Sequence, residues 1–350
     1  MDGEISNLLR LCFSLIASFT YCRLLPARLP AGKWRLISLL PIICVFMALP
    51  RYVASTFATA VMAFFFTWLA NFKLLLFAFD RGPIASLPSK SFPVFIAAAA
   101  FPFTVKPQND VVEASRKSKK LPINLTTGIP IAAALMSTVY YRRQHLHPQI
   151  LMAAYCVLVF LQLEILIEIS SALVRPMLGL ELEPASDEPY LSISLQEFWG
   201  RRWNIATGNL LRQAVYKPVR SVTAPVLGRE WSILAAVEAA FLVSGLMHEL
   251  IFWYTTPAIP PSWEVTMFFV VQGVGVAVEV LLKAAIASKK CRLLTWWVSG
   301  PLTLGFVAGT SFWLFFPPLI RNGVDVRVIG EFKFAGELLK KKGLELVMLG

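Results

Sequence analysis

The residue most at odds with its surroundings is His248, set in residues 232–254, SILAAVEAAFLVSGLMHELIFWY, a stretch otherwise suited to lipid. An ionisable group at bilayer depth is costly unless it faces protein or a wet cavity, so His248 and its neighbour Glu249 are functional-site candidates. A neutral imidazole can take a proton from a hydroxyl near pH 7, which is the work of a general base. Ser244 precedes His248 by one helical turn, and Gly245 removes a side chain from the adjoining face, leaving room beside the ring. The competing reading gives His248 only a hydrogen bond to a neighbouring helix, holding a bundle together.

A second constellation occupies residues 194–218, SLQEFWGRRWNIATGNLLRQAVYKP. Ser194 and Glu197 have capping-box spacing, which predicts a helix from near Leu195. On that helix Trp199 and Trp203 share a face, as aromatic residues do at a membrane interface. Gly200 and Gly208 flank Asn204 one turn to either side. Two chemistries fit: close helix packing through the glycines with Asn204 merely satisfied, or Asn204 as a donor bordering a substrate cavity. In the second, Arg201 and Arg202 lie near phosphates at the cytosolic face.

The elements that must position these residues are membrane helices. Hydrophobic residues make up 57% of the 350 and charged ones only 15%, with a mean hydropathy of +0.64. Apolar runs recur along nearly the whole length, which predicts an all-α polytopic bundle, residues 1–350 forming one integral-membrane unit of about eight spans. The expected spans are 5–25, 34–49, 52–79, 121–140, 150–174, 232–254, 264–287 and 293–316. The segment 92–105 is shorter and carries Pro93 and Pro102, so it reads as interfacial or re-entrant. Within span 52–79, Lys73 is expected to snorkel or to tilt the helix.

The net charge of +12 comes from Lys and Arg between the apolar runs, the positive-inside pattern rather than a nucleic-acid surface. It places the connection with Arg23, Arg28, Lys33 and Arg35 in the cytosol. The same holds for 175–231, a large cytosolic connection carrying an interfacial helix. Residues 255–263 hold no Lys or Arg and suit the lumen, as does the polar tail 317–350, weakly amphipathic around 338–349. The connection with Arg142, Arg143, His145 and His147 breaks the rule once. Arg116–Lys120 reads as a solvated basic loop, and the sequon at Asn124 falls in or beside a span. Glu164 and Glu168 share a face that must point into the bundle, and Glu279 with Lys283 forms a pair that can neutralise itself. Five cysteines without CxxC spacing indicate neither a disulfide framework nor a zinc site.

The stretch PYLSISLQEFWGRRWN, followed some forty residues later by SGLMHEL, resembles the plant wax synthases, a branch of the membrane-bound O-acyltransferases. WLANFKLLLFAFDRGP and PSWEVTMFF are similar to the same family, and the likeness covers essentially the whole chain. It departs mildly at Ser192-Ile193 and Glu197, where Ala-Thr and Asp are expected. The resemblance implies transfer of a fatty acyl group from acyl-CoA to a lipid hydroxyl in the endoplasmic reticulum membrane. It makes His248 the catalytic histidine and Asn204 its paired asparagine, which orients the thioester or stabilises the oxyanion. Under it Arg201, Arg202 and Arg212 meet the phosphates of CoA, while Trp199, Trp203, Ser244 and Glu249 line or support a tunnel. The implied partners are acyl-CoA, a fatty alcohol, sterol or diacylglycerol, and membrane lipid. No metal or cofactor is expected, nor is nucleic acid.

Two readings of other classes stay open on the residues alone. A small transporter would relay protons through Glu164, Glu168, Glu279 and His248, and a scaffold would use Asn204 and His248 for stability only. Signatures of soluble acyl transfer and nucleotide binding, G-x-S-x-G, HxxxD, a P-loop and a dinucleotide fingerprint, are missing from the sequence.

Overall fold

A computed structural model of the chain describes residues 2–86, 91–104, 125–179, 182–256, 259–287 and 296–349. The basic run Arg116–Lys120, Asn124 and Cys291 lie outside the described residues. In chain order the main helices are α1 (Asp2–Leu24), α2 (Lys33–Ala48), α3 (Thr56–Ala78), α4 (Phe92–Ala100), α5 (Leu125–Arg142) and α6 (Pro148–Leu178). They continue with α7 (195–202), α8 (Ile205–Thr255), α9 (Glu264–Ala287), α10 (296–321) and α11 (Val324–Leu349). No strand occurs among the described residues.

Seven described helices are long and apolar enough to cross a membrane: α1, α2, α3, α6, α8, α9 and α10. The remaining expected span is present as α5, 18 residues long and outside those seven. Its Val139 packs with Leu151, Tyr155 and Leu158 of α6. The region 175–231, expected as a connection, is largely helical. From Ile205 the chain runs 51 residues in helix, broken only where Gly228 takes φ 78°, a value a side chain would oppose. The break lets two arms of α8 border one cavity.

Pairs between helix ends define two sides. On one, Arg35 of α2 donates to Phe77 O at 3.0 Å and pairs with Asp80, and Gly32 N donates to Ala78 O at 2.7 Å. On the other, Arg51 lies 4.9 Å from the Trp253 ring, Arg327 donates to Thr255 O at 2.9 Å, and Arg143 pairs with Asp325 at 2.7 Å. The connection that breaks the positive-inside pattern thus has its Arg143 neutralised by protein.

Two polar groups within the apolar helices find partners that composition cannot supply. Lys73 does not snorkel. It is buried, donating to Ala98 O at 2.9 Å and to Phe101 O, so that it caps the C-terminal end of α4. α4 itself is packed inside the core through Val94, Phe95 and Ala97 to Ala100, with Pro93 in its first turn, where proline is tolerated. Glu279 contacts Lys283 and accepts from Leu195 N at 2.7 Å, pinning the start of α7 to α9.

Candidate active site

His248 sits on the second arm of α8 with Nδ1 2.8 Å from Ser244 O. A carbonyl only accepts, so Nδ1 carries the proton and Nε2 keeps its lone pair. Three aromatic rings hold the imidazole. Phe269 stacks on it at 4.3 Å and 27°, while Trp68 and Phe315 approach edge-on at 5.0 and 6.1 Å. The ring is half-buried, and it faces a cavity of about 1340 Å³. That volume exceeds the roughly 300–1,000 Å³ of common small-molecule pockets.

Asn204 borders the same cavity from the far arm. It does not lie mid-helix between two glycines. α7 ends in a π-helical turn, Phe198–Arg202, Trp203 turns extended, and Asn204 takes φ 40° and ψ 65°, a left-handed conformation that asparagine tolerates. Its Oδ1 accepts from Thr207 N at 3.3 Å, capping α8, and its backbone N donates to Ser186 Oγ at 3.2 Å. The carboxamide NH2 has no protein partner among the described residues. A Cβ on Gly200 would meet nothing within 4 Å, and one on Gly208 only Trp199 O at 3.9 Å. The glycines therefore serve no close packing, and both belong to the cavity wall.

The capping box forms as expected in its first half, Ser194 Oγ accepting from Glu197 N at 3.1 Å. In its second half Glu197 accepts from Ile193 N at 3.0 Å. Trp199 and Trp203 line the cavity but not as one helical face. Trp203 stacks on Phe198 at 5.6 Å and 13°, and Trp199 Nε1 donates to Gln272 Oε1 at 3.0 Å. Gln272 is fully buried and donates in turn to Thr310 Oγ1 at 2.7 Å, tying α7, α9 and α10 together.

Gly245 leaves no room beside the imidazole, because α9 fills the space. A Cβ there would stand 3.0 Å from both Cα and O of Thr266. Ser244 lines the cavity; Glu249 does not. The Glu249 carboxylate is buried and accepts from Trp263 N, Thr266 N and Thr266 Oγ1 at 2.9 to 3.1 Å, so it caps α9 and supports the site from behind.

Of the three arginines expected near phosphates, the structure leaves one at the cavity. Arg212 lines it, donating to Gly200 O at 3.0 Å. Arg202 is committed to Glu197 at 2.7 Å and to Asp187 O at 2.9 Å, and Arg201 is exposed outside the lining. Lys217 and Arg220 take their place, a pair the sequence reading passed over. Arg220 had a signal in the four-residue spacing of Arg212, Tyr216 and Arg220, which puts three lining residues on one helical face, whereas Lys217 falls outside that spacing. The aromatic ring of Trp68, Phe269 and Phe315 had no sequence signal beyond hydrophobicity.

Four π-helical stretches, Ala63–Ala70, Phe198–Arg202, Arg212–Tyr216 and Ser311–Phe315, each supply residues to this cavity. Such bulges turn side chains off the regular helical register and recur at functional sites. Two of the acids that a proton relay would use are engaged elsewhere: Glu168 pairs with Arg175 at 3.0 Å, and Glu279 fastens α7. No cluster of metal-ligating side chains occurs among the described residues.

The profile of the Membrane bound O-acyl transferase family matches residues 182–271, the span that holds both Asn204 and His248. The chain is 40% identical to the probable long-chain-alcohol O-fatty-acyltransferase 3 of Arabidopsis thaliana, covering 100% of both chains. It is also 40% identical to the long-chain-alcohol O-fatty-acyltransferase of Simmondsia chinensis, covering 99% of each. To the probable long-chain-alcohol O-fatty-acyltransferase 1 of Arabidopsis thaliana the identity is 36%, over 97% of this chain and 98% of the other.

Proposed function

The chain belongs to the long-chain-alcohol O-fatty-acyltransferases, within the membrane bound O-acyl transferase family, and from that premise we propose how its cavity makes an ester. The protein is a multi-pass membrane enzyme that transfers a fatty acyl group to a fatty alcohol, giving a wax ester. In the proposed reaction the donor is acyl-CoA, and the membrane is that of the endoplasmic reticulum. The observation that carries the scheme is that His248, with Nε2 as its accepting nitrogen, and Asn204, with an NH2 group unpartnered among the described residues, border one cavity.

The alcohol hydroxyl gives its proton to His248 Nε2 as its oxygen attacks the thioester carbonyl. Negative charge gathers on the former carbonyl oxygen, where the Asn204 amide donates; such a donor is worth about 3 kcal/mol in a water-poor site. Collapse breaks the carbon–sulfur bond. The CoA sulfur leaves with the proton held by His248, and the imidazole returns neutral. Ser244 O, accepting from Nδ1, steadies the imidazolium between these steps. The thioester is already activated, so the scheme uses no acyl-enzyme and no cofactor.

The cavity suits the two substrates. Apolar side chains such as Val157, Phe160, Val237 and Val276 give walls for alkyl chains. Arg212, Lys217 and Arg220 give cations for the phosphates of CoA. The test is to feed microsomes containing the full chain a labelled acyl-CoA with a fatty alcohol, a sterol or a diacylglycerol, each separately. The expected product is the fatty-alcohol ester. Label in the sterol or diacylglycerol ester alone would overturn the proposed acceptor.

A further inference from the structure

Trp199 lines the substrate cavity, yet its Nε1 donates away to Gln272 Oε1 at 3.0 Å. Gln272 is fully buried and stands outside the lining. Each polar atom of this relay has one possible role. Thr310 Oγ1 gives its own proton to Phe306 O at 2.7 Å or Val307 O at 3.1 Å, so toward Gln272 Nε2, 2.7 Å away, it can only accept. That turns the amide oxygen to Trp199, whose N–H can only donate. The relay starts in α10, crosses α9 and ends on α7. Those three helices already meet through apolar contact, since a Cβ on Gly275 would stand 2.9 Å from Leu195 Cδ1 and 3.1 Å from Phe306 Cε1. What the amide adds is a fixed orientation for the indole.

That orientation matters because of what the ring stands beside. Trp199 lies 6.0 Å from Phe269, and Phe269 stacks on the His248 imidazole at 4.3 Å. Phe241 and Phe268 close in on the same indole at 5.7 and 6.3 Å. A ring at a cavity wall has other staggered positions open to it, but leaving the present one costs the N–H its buried acceptor, a heavy loss in apolar surroundings. We propose that Gln272 is a positioning residue for substrate selection: it holds the Trp199 indole as a fixed wall one ring away from His248. That wall admits the hydroxyl of an unbranched primary alcohol and excludes a hydroxyl-bearing carbon that carries a branch. The place of the hydroxyl rests on the reading of His248 as the general base.

The experiment measures kcat/KM in microsomes, at matched protein level and with one labelled acyl-CoA, for a primary fatty alcohol and for its isomer with the hydroxyl on the second carbon. The wild-type chain is expected to prefer the primary alcohol by about 10- to 200-fold, the range over which a hydrophobic pocket tells one methyl-sized group from none. Trp199→Ala and Gln272→Leu should each cut that ratio by about tenfold, the first by removing the ring and the second by releasing it. In the Trp199→Ala background Gln272→Leu changes the ratio no further, since the ring it holds is gone. Thr310→Ser, which keeps the hydroxyl, retains the wild-type ratio. If Gln272→Leu slows both alcohols equally, its role is structural only and the proposal is overturned. A wild-type chain that takes both alcohols alike overturns it too, as does a change in ratio that persists once Trp199 is replaced. If Gln272→Leu fails to accumulate, Thr310→Val, which takes the acceptor from the Gln272 amide, carries the same test. Undiminished ester formation in His248→Ala is a separate outcome, which removes the general base and with it the place of the hydroxyl.

Discussion

The Nδ1 atom of His248 lies 2.8 Å from the carbonyl oxygen of Ser244, one turn earlier on the same helix. Because that acceptor is backbone, the ring's tautomer is set by α8 itself and Nε2 is the only nitrogen left to take a proton. His248→Ala is therefore expected to cut wax-ester formation by about 10² to 10⁴. His248→Asn should fall as far, since an amide has no basic nitrogen. Ester formation from labelled acyl-CoA and fatty alcohol, at matched protein level, checks both; undiminished rate in either variant removes the general base.

Arg212, Lys217 and Arg220 line the cavity, whereas Arg202 is held by Glu197 and two backbone carbonyls. Each of the three replaced by Ala is expected to raise KM for acyl-CoA by about tenfold, the worth of one charge-assisted contact, with little change in kcat. The effect should shrink as salt screens the pair. Arg201→Ala, on an exposed side chain outside the lining, should leave KM where it is. A KM unmoved by all three cavity variants would place CoA elsewhere.

What the sequence made legible was whatever is locally anomalous. A histidine in an apolar run and a Ser-x-x-Glu start are visible because each conflicts or agrees with its immediate neighbours, and both sit where that logic put them. The left-handed bend at Asn204 was not legible. It depends on hydrogen bonds to Ala185, Ser186 and Asp187, and on the stacking of Trp203 over Phe198, which break a helix that local spacing would continue. Lys73 misled for the same reason: its acceptors at Ala98 and Phe101 come from a helix 25 or more residues away. Gly245 shows the limit most plainly, since a missing side chain signals space without saying who fills it.

Gly245 is filled by α9. A Cβ would press on the Thr266 backbone at 3.0 Å and on Phe269 Cβ at 3.2 Å. Backbone cannot swing aside as a side-chain tip can, so Gly245→Ala must push α8 and α9 apart. The expected cost is about 1–3 kcal/mol of stability. Phe269 stacks on His248, so activity per folded molecule should fall as well. Thermal unfolding in detergent reports the first effect and the rate at matched folded protein the second. An unchanged Tm would mean the helices are not in the contact described.

Glu197 links pH to the integrity of α7. Burial pushes its carboxyl upward, but the Ile193 N–H and the Arg202 guanidinium outweigh burial and hold it below the ordinary carboxylate range. A depressed folded-state value means the charged form is favoured by folding. Its contribution is fully present above the unfolded value of about 4.3 and is lost as pH falls through the lower folded one. Arg202 then loses its carboxylate partner and keeps only the carbonyls of Asp187 and Glu188, and the bend at 202–205 loosens. The wild-type chain should therefore shed thermal stability below about pH 4 more steeply than Glu197→Gln, whose amide has no charge to lose. Unfolding temperatures measured from pH 7 downward for both proteins test this: parallel curves through that window would show that the carboxylate does not hold α7 in place.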